Sequence, residues 1–332
     1  MPSIRSILFI QTAFIGDAIL ASAMWEAWHQ AYPHDQIDVC VRKGNESLFI
    51  DHPFIRHVHI WDKGGGIVRY NRLIALAKNL RSLNYDVAVT PHRHASSGLL
   101  SRFSRAPKRM GFGSHPLHWL FTKVVAHEFR EDWHEVDRNH QLIREEVGFE
   151  RSVMPRLYPK NSGPKTPSGV FGVMAPASQW FTKQWPENKW IALCDSLEET
   201  ETIVLLGGKQ DAEILSMIQQ GTRHPNVMTF SDLALSESLA LMSQAAWVVT
   251  NDSGPMHMAS ALNIPTVAIF CSTSPKFGFG PLSSKNVVIE AKVNLPCKPC
   301  GLHGHKACPE RHFNCAQRIE VSAVSEALRG LA

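Results

Sequence analysis

Apolar and polar positions in the 332-residue chain form two recurring patterns. Short, nearly continuous apolar runs are typical of parallel strands that are buried on both faces. Longer segments with apolar residues three and four positions apart are typical of amphipathic helices. In the first half, the predicted strands cover residues 4–10, 37–41, 58–61 and 86–90, and the predicted helices cover residues 18–31 and 67–83.

The same alternation begins again after residues 155–169, a stretch rich in Pro, Gly, Ser and Lys that we interpret as a linker. Alternating strands and helices favour parallel βαβ units. We therefore predict an α/β protein of two Rossmann-like domains, residues 1–160 and 161–332, with a cleft between the carboxyl ends of their sheets. The later strands are predicted at 170–174, 202–206, 226–229, 248–250 and 266–270, and the later helices at 186–199, 211–220, 236–245 and 255–262.

The composition narrows the class of protein. With 44% apolar and 19% charged residues, the chain can fill two cores and does not resemble a disordered protein. A formal net charge of +4 is too small to indicate nucleic-acid binding. The apolar run near the amino terminus is too short for a signal peptide, and no segment has 18 uninterrupted apolar residues. We expect a cytoplasmic protein without a nucleic-acid partner.

Residues 251–257, Asn-Asp-Ser-Gly-Pro-Met-His, follow a predicted strand and open a predicted helix. Free N–H groups and the helix dipole at such a position attract anions. Ser253 and Gly254 would let a diphosphate approach closely, although a plain helix cap explains the same residues. Neither half contains the glycine-rich phosphate loop of nicotinamide or P-loop enzymes.

Two further strand ends in the second half carry candidate ligands. Ser178, Thr182 and Lys183 follow the strand at 170–174 and could bind phosphate oxygens, with Lys183 stabilising a departing diphosphate. The alternative for Lys183 is a solvated loop lysine. Asp211 follows the strand at 202–206 and could accept from ribose hydroxyls or cap its helix.

In the first half, Asp17 follows the first strand and begins a helix. A carboxylate there could act as general base on an acceptor hydroxyl, or it could serve as a helix cap. Basic residues cluster at 91–94 and 102–109, with Arg93 and Arg109 as the preferred candidates for binding an anionic acceptor. The alternative for this cluster is the solvated face of a helix.

Together these segments resemble the heptosyltransferases, glycosyltransferase family 9. The resemblance is carried by residues 9–20 (Phe-Ile-Gln-Thr-Ala-Phe-Ile-Gly-Asp-Ala-Ile-Leu), 134–139, 182–186 and 251–257, in the family's order along nearly the whole chain. It implies a GT-B architecture with the acceptor on the amino-terminal side and the donor on the carboxyl-terminal side. It also implies inversion at the anomeric carbon without a catalytic metal or other cofactor.

The resemblance also implies substrates and roles. The donor would be ADP-heptose, and the acceptor a lipid-linked anionic oligosaccharide of the lipopolysaccharide inner core, reached by peripheral contact with the inner face of the inner membrane. Asp17 matches the general base, and Lys183 matches the lysine that helps the diphosphate leave. The matched donor positions are Asp252, Ser253, Gly254 and His257, with Asp211 near the ribose and Leu233 against the adenine.

Four of the seven cysteines crowd the tail, at Cys297, Cys300, Cys308 and Cys315. Their spacing, C-x2-C-x7-C-x6-C, suits a tetrahedral zinc or iron site, and a related branch of the family holds iron on cysteines. Free or paired thiols fit the same spacing. Any ion here would be structural, since the cluster lies beyond the donor motifs.

Two other functions compete with heptosyl transfer. One is a GT-B transferase or epimerase that uses another nucleotide sugar. The other is a non-catalytic scaffold, or a binding protein whose cysteine knuckle docks a partner. The mild charge and two complete α/β domains weigh against a binding protein, and the presence of Asp17 and Lys183 weighs against a scaffold.

Overall fold

The computed structural model describes residues 4–160 and 166–331. It divides into two compact units, Met1–Tyr158 and Pro159–Ala332. The division falls within the predicted linker, of which residues 161–165 lie outside the described part of the chain. None of the described helices has the length and apolar character needed to cross a membrane.

The first unit contains a sheet of six parallel strands. Its strand order is β3-β2-β1-β4-β5-β6, the order of a doubly wound nucleotide-binding sheet. The strands are β1 (Ser6–Gln11), β2 (Gln36–Arg42), β3 (Ile55–Trp61), β4 (Val87–Thr90), β5 (Lys108–Phe112) and β6 (Lys123–Val125). The helices are α1 (Ile15–Ala31), α2 (Gly66–Ser82), α3 (Ala95–Phe103), α4 (Glu135–His140) and α5 (Arg144–Val147).

Burial explains why β1 and α1 lie at the centre of this unit. The side chains of Ile7 through Ile10 are fully buried, so β1 is covered on both faces as its continuous apolar run predicts. In α1, Trp25 and Trp28 are also fully buried, because this helix is apolar on most sides and must be enclosed.

β1 and β4 are neighbours in the first sheet, and the chain winds away from them in opposite directions. Their carboxyl ends therefore form the switch point where such sheets bind ligands.

The second unit repeats this plan with strand order β12-β11-β10-β7-β8-β9, again with every described pairing parallel. Its switch point lies between β7 and β10, and its core packs Trp185, Trp190 and Ile269 at full burial. The strands are β7 (Phe171–Ala175), β8 (Thr202–Leu206), β9 (Val227–Phe230), β10 (Trp247–Asn251), β11 (Thr266–Phe270) and β12 (Asn286–Glu290). The helices are α6 (Glu187–Asp195), α7 (Ala212–Gly221), α8 (Leu235–Met242), α9 (Gly254–Ala261), α10 (Asn314–Gln317) and α11 (Val321–Leu331).

The predicted fold class, α/β with two Rossmann-like units, is confirmed. β8 and β11 coincide with their predicted residues, and the other predicted strands and helices are all present with shifted ends. The sequence pattern missed a set of elements: β5, β6, β12, α3, α4, α5, α10 and α11.

Candidate functional site

A buried ion pair marks the switch point of the second sheet. Lys183, in the loop after β7, places its Nζ 2.7 Å from Oδ2 of Asp252, which directly follows β10. The Thr273 hydroxyl donates to the same carboxylate oxygen over 2.7 Å. Both charged side chains are largely buried, with exposed fractions of 14% and 7%. A cation and a carboxylate are thus held together where doubly wound sheets bind phosphates.

Asn251 fixes the loop that carries Lys183. Its Nδ2 donates to the Pro176 carbonyl over 2.6 Å, and its Oδ1 accepts from the Trp185 backbone N–H over 3.0 Å. The side chain is fully buried at the end of β10 and joins the two ends of the loop to that strand. Asn251 had no predicted role, although it is the first residue of the 251–257 motif.

The start of α9 lies beside this ion pair. Ser253 is the N-cap residue in extended conformation, Gly254 is the first helical residue, and proline follows at the next position. The first-turn N–H groups of a helix lack intrahelical partners and attract anions. His257 is buried within the same helix. The structure therefore brings Lys183 and Asp252 together beside Ser253 and Gly254 at the start of α9.

Thr182 and Asp211 both form side-chain hydrogen bonds within the protein. The Thr182 hydroxyl is buried and accepts from the His305 backbone N–H over 2.7 Å and from the Ser272 hydroxyl over 3.1 Å. Because a hydroxyl has two acceptor lone pairs, these bonds use its accepting capacity within the protein. The Asp211 carboxylate accepts from the Gly208 N–H over 2.8 Å, which favours the capping interpretation.

Ser178 and Leu233 are half-buried in loops at the same edge of the second sheet. Ser178 follows β7, and its carbonyl accepts from the Gln184 side chain over 2.6 Å. Leu233 follows β9, the strand two positions from β7 in the sheet. Both positions are compatible with donor contacts.

The tail cysteines are neighbours, but they do not converge as four ligands. Among the described residues, no group of three or more His, Cys, Asp and Glu side chains is arranged to hold a metal ion. Cys315 is buried in α10, whereas Cys297, Cys300 and Cys308 are half-buried. Burial and the neighbouring Cys297 and Cys308 thiols raise the pKa of Cys300. The zinc or iron hypothesis does not fit this arrangement.

In the first unit, Asp17 occupies the matching switch point. It is the third residue of α1, directly beyond the carboxyl end of β1. Burial, with the nearby Glu135 carboxylate, raises its pKa to about 6, while backbone N–H groups at Asp17 and Phe14 and the Arg93 guanidinium oppose this rise. Asp17 is therefore a carboxylate in the first turn of α1 with a pKa in the range that suits a general base near neutral pH.

Glu135 is a site residue that the sequence analysis missed. It opens α4, and its Oε2 accepts from Nε of the buried Arg138 over 2.8 Å. Burial raises the pKa of Glu135, while Arg138 and Arg93 oppose that shift. The sequence signal was present, because Glu135 lies inside the 134–139 segment that resembles the family signature.

A group of cations surrounds the carboxyl end of β4. The Thr12 hydroxyl lies 2.9 Å from Nδ1 of His92, whose ring stacks on His94 at a centroid distance of 5.7 Å. Burial, with the Lys63 ammonium and nearby basic side chains, lowers the pKa of His92 to about 3. Burial, Arg42 and Arg69 likewise lower the pKa of Lys63. Crowding of like charges at a switch point favours binding of an anion.

The two predicted acceptor arginines have different surroundings. Arg93 is exposed after β4 and acts electrostatically on Asp17 and Glu135. Arg109 lies near the start of β5, at the edge of the parallel sheet opposite the carboxyl end of β4. Its guanidinium donates to the Leu120 carbonyl over 2.9 Å and to the Ala106 carbonyl over 2.7 Å. The structure thus groups Arg93 with Asp17 and Glu135, whereas the Arg109 guanidinium is bonded to two backbone carbonyls.

Comparisons with known proteins agree with this arrangement. Residues 73–310 match the family "Glycosyltransferase family 9 (heptosyltransferase)". The chain is 26% identical over 305 residues to lipopolysaccharide heptosyltransferase 2 of Escherichia coli K12, which covers 85% of this chain and 87% of that relative. The fold is similar to solved structures of E. coli ADP-heptose lipopolysaccharide heptosyltransferase II (TM-score 0.81, 22% identity, 98% of both chains) and of a family 9 glycosyl transferase from Veillonella parvula DSM 2008 (TM-score 0.82, 20% identity, 100% and 98% covered).

The matched region covers most of the chain, from the middle of α2 to the cysteine-rich tail, and therefore includes Arg93, Glu135 and all the donor-site candidates. The chain belongs to glycosyltransferase family 9, the heptosyltransferases, and is a glycosyltransferase.

Proposed function

We propose that the chain transfers heptose from ADP-heptose to a sugar of the lipopolysaccharide inner core, with inversion at the anomeric carbon. The names of the E. coli relative and of the E. coli structure supply the sugar, the nucleotide and the acceptor class. The observation that carries the proposal is the Lys183–Asp252 pair beside the start of α9. This site offers a cation and helix N–H groups to a nucleotide diphosphate.

The reaction needs a base and a stabilised leaving group. Asp17 would take the proton of the acceptor hydroxyl while the acceptor oxygen bonds to the anomeric carbon of the donor. The bond from that carbon to the diphosphate oxygen breaks in the same step, and its electron pair leaves on ADP. Lys183 would neutralise the charge that develops on the diphosphate. With Lys183 and the start of α9 in this role, the transfer requires no metal ion, and we expect activity to persist in a chelator.

The cations around β4 would bind the anionic acceptor. Lys63 and Arg69 join Arg93 as candidates, because the Lys63 ammonium is crowded by other positive groups at this edge of the sheet. The sequence signal for Lys63 is its position before Gly64, Gly65 and Gly66, at the start of α2. A lipid-linked acceptor would bring the enzyme to the inner face of the inner membrane from the cytoplasm.

The donor is tested by a thermal-shift series with ADP, UDP, GDP and ADP-heptose on the full-length protein. We expect ADP and ADP-heptose to stabilise it, by about 2.7 kcal/mol at a hundredfold excess over Kd. A larger shift from UDP or GDP would overturn the proposed donor and favour a transferase for another nucleotide sugar. An absence of any shift would favour the scaffold.

The catalytic roles are tested by kinetics with ADP-heptose and a core-oligosaccharide acceptor. Asp17→Asn and Lys183→Ala should each lower kcat by about two orders of magnitude while the circular dichroism spectrum is retained. Lys189→Ala is the matched control for Lys183→Ala, because Lys189 is similarly buried and pairs with Glu320 on the same unit. Near-normal turnover of either catalytic variant would refute its assigned role.

A further inference from the structure

The cysteine-rich tail contacts the segment that carries Lys183. The Thr182 backbone N–H donates to the His305 carbonyl over 3.1 Å, and the His305 N–H donates to the Thr182 hydroxyl over 2.7 Å. This reciprocal pair of bonds joins residues that are far apart in sequence. It fixes the backbone immediately before Lys183.

Ser272 joins the same contact from the loop after β11. Its hydroxyl donates to the Thr182 hydroxyl over 3.1 Å, and its carbonyl accepts from the Cys300 N–H over 2.7 Å. Ser272 and Thr182 are each only 1% exposed, so water competes little for these bonds. The Lys183 segment, the β11 loop and the tail are therefore one hydrogen-bonded cluster.

Lys298 anchors the tail to the sheet. Its Nζ donates to the Phe270 carbonyl at the end of β11 over 2.8 Å and lies 2.9 Å from a carboxylate oxygen of Glu290 at the end of β12. The Lys298 side chain is 12% exposed. The segment 297–305, which we call the tail loop, thus rests on two strand ends and on the Lys183 segment.

Gly304 brings the tail loop close to Lys183. A Cβ atom at Gly304 would lie 3.2 Å from Cγ of Lys183, and 2.9 Å from the Thr182 hydroxyl. It would also lie 3.3 Å from the Ser272 hydroxyl. The φ angle of Gly304 is +75°, which favours glycine in any case. Any side chain here would displace the buried cluster or the Lys183 side chain.

We infer that Gly304 is a positioning residue, through which the tail loop holds the Lys183 ammonium on the donor diphosphate. The inference rests on the proposed function of Lys183 and deepens it. The tail loop acts on the reaction through its contacts with the segment that carries Lys183. Because catalytic groups are sensitive to small displacements, a shift of about 1 Å lowers turnover strongly.

Gly301 supplies a matched control on the same loop. Its φ angle is +88°, so alanine is strained there as it is at Gly304. No described atom lies within 4 Å of a Cβ built at Gly301. Gly304→Ala and Gly301→Ala therefore share the conformational strain of alanine at a positive φ angle. Only Gly304→Ala also introduces close contacts with Thr182 and Lys183.

The test measures kcat with ADP-heptose for both alanine variants, for Lys183→Ala, and for the Gly304→Ala/Lys183→Ala double variant. We expect Gly304→Ala to lower kcat about tenfold or more and Gly301→Ala to stay within about twofold of the wild type. In the Lys183→Ala background, Gly304→Ala should cause no further loss, since residues that act as a unit are not additive. If Gly304→Ala does not fold, Ser272→Ala takes its place, with a smaller expected loss.

Three outcomes would overturn the inference. Equal kcat for Gly304→Ala and Gly301→Ala would show that the contact with the Lys183 segment is irrelevant. An undiminished loss from Gly304→Ala in the Lys183→Ala background would show that the tail loop acts by another route. Normal turnover of Lys183→Ala would remove the proposed function of Lys183 and the inference together, whereas the first two outcomes leave that function intact.

Discussion

At the scale of single residues, Asp17 is held where its charge is disfavoured. Its pKa of about 6 in the folded protein exceeds the ordinary value of 3.8, so folding costs free energy whenever the carboxylate is ionised. The contribution of Asp17 to the free energy of unfolding is greatest below about pH 4 and is lost as the pH rises through about 6. Such a cost at a candidate base is typical of a functional residue.

Asp17→Asn should therefore stabilise the fold at neutral pH, although it lowers kcat. A shift of this size predicts a gain of roughly 1–3 kcal/mol in the free energy of unfolding at pH 7.5, and little gain at pH 4. Urea denaturation at both pH values measures the difference. Equal stability of the two proteins at pH 7.5 would contradict the burial of an ionised Asp17.

The second residue-scale prediction concerns Glu135, which helps to raise the pKa of Asp17. A base with a pKa of about 6 predicts that kcat/KM falls as the pH drops below 6. Glu135→Gln removes a negative charge near Asp17, so this acidic limb should move to lower pH, by about half a unit to one unit. The pH profile of Glu145→Gln is the control, because Glu145 is exposed and pairs with Lys123 in the same unit. An unmoved limb in Glu135→Gln would exclude the coupling.

At the scale of elements, two arginines that look alike in sequence lie at opposite edges of the first sheet. Arg93 follows the carboxyl end of β4, and Arg109 lies near the start of β5. Arg93→Ala should raise the KM for the acceptor about tenfold, since it removes a charge near the base. Arg109→Ala should leave that KM unchanged and lower the free energy of unfolding by about 1–3 kcal/mol, because two backbone carbonyls lose a charged donor. Acceptor titrations and urea denaturation of both variants measure these effects. A raised acceptor KM in Arg109→Ala would restore it to the acceptor site.

Sequence patterns predicted the elements whose burial is simplest. β1, β8 and β11 are buried on both faces, so their apolar runs mark them clearly. β5 escaped because Lys108 and Arg109 give its start a basic character that resembles a helix surface. Periodicity is a local signal and cannot detect which strand end a charge occupies.

The contacts that shape the candidate site were beyond sequence reasoning for a different reason. Glu135 affects Asp17, and His305 bonds Thr182, across more than a hundred intervening positions. Only the sheet topology and loop packing bring such residues together. Thr182 shows the consequence, because its residue type suits a phosphate ligand, but the sequence gives no sign of its bonds with Ser272 and His305.

At the scale of the whole molecule, the chain has two units, each with its own sheet and buried core. The proposed donor residues all belong to Pro159–Ala332, while the proposed base and acceptor cations belong to Met1–Tyr158. Units with separate cores can open independently, and a ligand stabilises the cooperative unit that binds it. The response to ADP therefore shows which unit contains the donor site.

Hydrogen exchange of the full-length protein with and without ADP tests this division. At ADP a hundredfold above Kd, the slowest amides of β7, β8, β10 and β11 should exchange about a hundred times more slowly, because opening of that sheet must release the ligand. The slowest amides of β1, β2 and β4 should change much less. Equal slowing in both sheets would show that the two units unfold together. Slowing confined to the first sheet would place the nucleotide site in Met1–Tyr158 and contradict the donor assignment. The predicted pattern requires both the donor assignment and independent cores, so a single experiment tests each of them.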